Sequence, residues 1–74
     1  MVKVILLKSS DAKTIIVSQD TTIKKAWEEA FGAYNGEKLM ANCVPVAPDS
    51  CISEYITDID KPFYISYFKP VDNA

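Results

Sequence analysis

Two thiols and a handful of carboxylates are the only side chains in this sequence that offer obvious chemistry. Cys43 and Cys51 are its two cysteines. Their spacing lacks the C-x-x-C of redox and zinc sites, and there is no histidine to act as general base or nitrogen ligand. Both read first as small buried hydrophobes; a disulfide between them is the alternative, because the segment from one to the other doubles back. Asp58 and Asp60 flank Ile59 in a loop and, with Asp49 or Glu54, could gather around a divalent cation. The glycine and the spaced oxygen ligands of a calcium loop are missing, so solvated loop acids are the better reading. No catalytic constellation, metal site or cofactor site is expected, and the chain is read as a non-enzyme. Trp27, on the apolar stripe of a helix, is assigned a structural role.

The composition narrows the partners. The chain has 74 residues, a net charge of −2 and 8 basic residues, all of them lysine. Without arginine it lacks the planar fork that suits phosphates and guanine edges, and the lysines are scattered with no basic run. That argues against nucleic acid and against anionic membrane. Met1 to Lys8 is too short for a signal-peptide core and no apolar run reaches spanning length, so a cytoplasmic location is the expectation. No small-molecule substrate is evident. With 49% of the residues hydrophobic, residues 1–74 can form a single domain around a core of side chains alone, residues 70–74 being a short flexible tail.

One helix is well marked. Ile23, Ala26, Trp27, Ala30 and Phe31 recur at helical spacing, with Lys24, Lys25, Glu28 and Glu29 on the other side, where they can pair at i+4. Thr22, or Thr21 before it, can cap the start, and Gly32 can end the helix in a left-handed conformation. Before the helix, Val2 to Lys8 and Lys13 to Ser18 read as a β-hairpin turning through Ser9 to Ala12. After it, Glu37 to Ala41 reads as a third strand, Asn42-Cys43 as a tight turn and Val44 to Val46 as a short strand that Pro45 confines to an edge. A helical turn over Cys51 to Tyr55 follows. Phe63 to Lys69, the most β-prone run, makes a final strand. So apolar a strand should be central, beside the first strand and parallel to it, with the helix crossing one face.

This order resembles that of ubiquitin and its small relatives, including the sulfur carriers of thiamine and molybdopterin synthesis. Thr22-Ile23 sits where ubiquitin-like chains carry a capping Thr and a buried Ile. Cys51-Ile52-Ser53-Glu54-Tyr55 is similar to ubiquitin's Thr-Leu-Ser-Asp-Tyr, and Ala41 to Val46 is similar to the turn between the third and fourth strands of the sulfur carriers. The resemblance implies an α+β, β-grasp fold: a mixed four- to five-stranded sheet with one helix packed on one face. It also implies that Tyr55 is half buried and ties down a neighbouring loop through its hydroxyl. The conjugation and sulfur chemistry of that superfamily depends on a C-terminal Gly-Gly, and this chain has no glycine after Gly36. A modifier or sulfur-carrier role is therefore disfavoured.

Strand alternation sorts the remaining apolar residues. If Val2, Val4, Leu6, Ile15, Val17, Leu39, Phe63, Ile65 and Tyr67 point toward Trp27 and Phe31, the opposite face receives Ile5, Leu7, Thr14, Ile16, Met40, Tyr64, Ser66 and Phe68. One helix covers one face only, and a contiguous apolar patch on the other marks an interface. Ubiquitin-like domains commonly bind partners through this face. The expectation is a small, non-catalytic interaction module, bacterial or phage in character, that docks on or inhibits a larger protein through Ile5, Leu7, Ile16, Met40, Tyr64 and Phe68. The partner is another protein or a second copy, and the alternative is a homo-oligomeric structural component, for instance of a phage particle.

Overall fold

The β-branched run at the start of the chain forms β1 (Val2–Lys8), which folds back on β2 (Asp11–Val17). There follow α1 (Ile23–Phe31), β3 (Lys38–Ala41), β4 (Val44–Val46), a single 3-10 turn (Ile52–Glu54) and β5 (Phe63–Phe68). The computed structural model describes residues 1–8, 11–36, 38–41 and 44–68, with the backbone alone at Phe68. The architecture is α+β, one helix packed on an open, mixed, five-stranded sheet in the order β2-β1-β5-β3-β4. As expected for its apolar content, β5 is central. It runs parallel to β1, with Val4 beside Phe63 and Leu6 beside Ile65, and antiparallel to β3, with Leu39 beside Tyr67.

Several boundaries differ from those expected. Asp11 and Ala12 belong to β2 and not to the turn, because the hairpin ladder continues through Leu7 with Ala12 and Lys8 with Asp11. Backbone pairing there outweighs the turn preference of Asp. The helical turn shortens from Cys51–Tyr55 to Ile52–Glu54. The expected Asn42-Cys43 turn, the strand residues Glu37 and Lys69, and the tail at 70–74 lie outside the described residues.

The strand residues expected to face the helix are buried in the core or packed at its edge, and Ala41, Val46 and Ile52 join them without having been expected. Val2, Val4, Leu6, Leu39, Phe63 and Ile65 are buried against Ile23, Ala26 and Trp27 of the helix, and Val46 and Ile52 close the far end. Ile15, Val17, Phe31 and Tyr67 pack around it, half buried. Each large side chain taken out of water here contributes roughly 1.5–3 kcal/mol, which is how so short a chain offsets its entropy. The Trp27 ring lies 4.7 Å from that of Phe31 and 6.4 Å from that of Tyr67, both measured between centroids.

Local chemistry fixes the helix ends. Thr22 is the cap: its Oγ1 accepts the Lys25 N–H at 3.1 Å. The N–H groups of Ile23 and Lys24 donate to the carbonyls of Ser50 and Pro48, and in return Ile52 and Ser53 donate to Thr21 and Gln19. The loop after β4 is thereby laced onto the start of the helix. At the other end Gly32 has φ +89° and ψ −151°. The positive φ is as foreseen, but the ψ is not that of a left-handed helical cap. It belongs to a region essentially open only to glycine, and it sends the chain abruptly away from the helix.

Candidate functional site

Because α1 covers one side of the sheet, the site is best built from the side it leaves bare. Alternation along the strands puts Lys3, Ile5 and Leu7 of β1 on this open face, with Ala12, Thr14 and Ile16 of β2, Lys38 and Met40 of β3, and Tyr64 and Ser66 of β5. The ladder registers order them into rows. One runs Thr14, Ile5, Tyr64; the next runs Ala12, Leu7, Ser66, Met40, Pro45. Ile16 stands beside Lys3 at one end, and Lys38 stands in register with Phe68 at the other.

Of the six residues expected to bind a partner, Ile16, Tyr64 and Leu7 are exposed, at 61%, 47% and 38%. Ile5, between Thr14 and Tyr64, and Met40, between Ser66 and Pro45, are half buried, whereas Leu7 stands between the small side chains of Ala12 and Ser66. The register brings Ile5 next to Tyr64 and Leu7 one residue further along the same strand face. The side chain of Phe68 lies outside the described residues. Two shallow depressions border the patch. One, of about 520 Å³, is lined by Tyr34, Lys38, Met40, Pro45 and Pro48 among others. The other, of about 290 Å³, lies between the segment Tyr55 to Asp58 and Tyr64.

The other candidates fall into structural places. Tyr55 is half buried, and its hydroxyl accepts the Ala47 N–H at 3.0 Å, which ties the exit of β4 to the 3-10 turn. Glu54 accepts the Cys51 N–H at 2.8 Å, capping that turn from within. The Cys51 thiol is free and half buried, and Cys43 lies outside the described residues. Asp58 turns its Oδ1 to the Asp60 N–H at 3.0 Å, a local loop closure. Among the described residues, no three Cys, Asp or Glu side chains converge as a metal site would require. Of the charged residues on α1, Lys24, Lys25 and Glu29 are exposed and Glu28 is half buried. Trp27 is fully buried and its Nε1 has no hydrogen-bond partner. The amides at the start of α1 are all engaged by Thr22, Pro48 and Ser50, so this helix end presents no free donors to an anion.

Sequence reasoning overlooked the contribution of lysine to the open face. Lys3 shares the parity of Ile5 and Leu7, and Lys38 that of Met40, which was the available signal. Lys8 goes the other way. It falls on the helix side of β1 and swings its Nζ over the Phe31 ring, 5.7 Å from the centroid, keeping the charge in water while its stem covers the core edge.

No helix is long and apolar enough to cross a membrane among the described residues. In comparisons with known proteins, no family model and no curated protein matches this chain.

Proposed function

We propose that this chain is a ubiquitin-like, β-grasp interaction module that acts without catalysis, docking on another protein through the open face of its sheet. The β-grasp reading is supported by connectivity: a hairpin, a crossover helix, and a last strand inserted parallel to the first. The functional reading is carried by one observation. Leu7, Ile16 and Tyr64 are exposed together on adjacent strands, with Ile5 between them, on a face that the chain's only described helix leaves uncovered. A soluble domain of this size keeps so much adjoining apolar surface in water at a cost, and a partner that covers it recovers roughly 25 cal/mol per Å² of apolar area.

Leu7→Glu and Tyr64→Glu test this directly. Both side chains are exposed, so the variants fold as the wild type does by circular dichroism. Affinity capture from the native lysate, followed by titration of the purified partner, is expected to show binding by the wild type and by Lys24→Glu on the outer helix face. Either sheet-face variant is expected to lose at least tenfold in affinity, by about 1.4 kcal/mol or more. Equal binding by all four proteins would place the interface elsewhere.

A further inference from the structure

The charges on the sheet are sorted by face. Of the charged residues on the described strands, Lys8, Asp11 and Lys13 point to the helix side, Lys13 beside the core residue Leu6 and Asp11 beside Lys8. Only Lys3 and Lys38 share the open face, and both are exposed. In a chain of net charge −2, the described strand residues of this face therefore carry positive charge alone.

Position matters as much as sign. Lys3 lies near the start of β1. Lys38 is in register with Phe68 at the end of β5, which runs parallel to β1. The two ammonium groups therefore stand at opposite ends of the patch, with Ile5, Leu7, Tyr64 and Met40 between them. Beside Tyr64 the depression is lined by one acid and one base, Asp58 and Lys61, and the exposed Asp60 in the same loop adds a second acid.

Building on the proposed docking function, we infer that the occupant is a protein surface whose apolar strip is bracketed by carboxylates, one for each lysine. A second copy docking face to face is the wrong occupant. It would bring a strictly basic set of strand charges against itself, and like charges brought together across an interface oppose association. Rim charges of this kind steer approach and fix orientation, so the association rate falls as salt rises, while the apolar strip holds the complex.

The test begins with a random linear peptide library displayed on phage and selected on the immobilised chain at low salt. Enriched peptides are expected to combine aromatic or aliphatic residues with Asp or Glu at both ends. The best peptide, titrated in solution, should bind Lys3→Glu/Lys38→Glu about tenfold or more weakly than wild type, and selection on that variant should enrich Lys and Arg instead. Tyr64→Glu serves as the control for the face itself. If Tyr64→Glu abolishes binding and the double lysine variant does not, the inference fails and the docking face stands. If neither variant matters, both fail. An empty selection, or one without acidic residues, overturns the inference. So does lysine-dependent binding to phosphatidylserine vesicles or to poly(U) RNA that matches the peptide. A wild-type dimer in sedimentation that Tyr64→Glu dissolves would make the occupant a second copy.

Discussion

Single groups with one good partner carry much of the local order in a chain this small. The Tyr55 hydroxyl is such a group, because the Ala47 N–H it accepts sits where β4 ends and the chain leaves the ladder. Tyr55→Phe keeps the ring in place and removes only the acceptor. It should cost about 1 kcal/mol, read as a lower denaturation midpoint at unchanged slope, with the fluorescence of the lone Trp27 as probe. The role of Tyr55 was legible beforehand only through its likeness to the ubiquitin tyrosine; nothing in composition or spacing says where a phenol will reach. The same holds for Trp27. Helical spacing placed it in the core, but nothing in that spacing says that its indole N–H is buried without a partner. Buried indoles usually find an acceptor, and a missing one costs roughly 1–3 kcal/mol. The fold carries that cost inside the largest of its fully buried side chains.

At the scale of elements, the helix was the most readable part because its apolar stripe and both ends are encoded within a few residues. Thr22→Ala removes the Oγ1 acceptor of the Lys25 N–H and should cost about 1 kcal/mol. Gly32→Ala is a different kind of loss. A methyl group there would meet no atom within 4 Å, so packing would not oppose it. The backbone would, since φ +89° with ψ −151° is a conformation L-residues avoid. The expected cost is about 1–3 kcal/mol, and Gly32 to D-Ala, made by chemical synthesis, should restore much of it. Chemical denaturation of the three proteins settles the matter. The strands were legible as runs and less so at their ends: the ladder drew Asp11 and Ala12 into β2 although their types favour a turn. Pairing partners far along the chain decide such boundaries, and local spacing does not contain them. What laces the Pro48 to Ser53 segment onto the helix start is likewise backbone to backbone, and so leaves no mark in residue type.

For the whole molecule, the decisive property is that one sheet has two unlike faces. Alternation in the sequence assigned them, since the residues expected to face the helix are those buried or packed around the core, and their neighbours on each strand point outward. How far each outward residue is shielded could not be read the same way. Ile5 is half buried and Leu7, on the same strand, is exposed because Ile5 stands between Thr14 and Tyr64 and Leu7 between Ala12 and Ser66, and that register is a property of the assembled sheet. The two faces also predict opposite responses to one chemical change. Ile65→Lys puts an ammonium where the native side chain has no contact with water, and no acidic residue is among the buried set to receive it. The lysine either opens the site to water or gives up its proton, and each route costs enough of so small a domain's stability to leave it unfolded or molten at neutral pH. Ile16→Lys makes the same exchange on the far side of the sheet, at a residue 61% exposed, and should shift stability by no more than about 0.5 kcal/mol. Near-ultraviolet circular dichroism and Trp27 emission distinguish the outcomes. A folded Ile65→Lys, or an unfolded Ile16→Lys, would show that the helix covers the opposite face, and with it that the docking surface had been placed on the wrong side of the sheet.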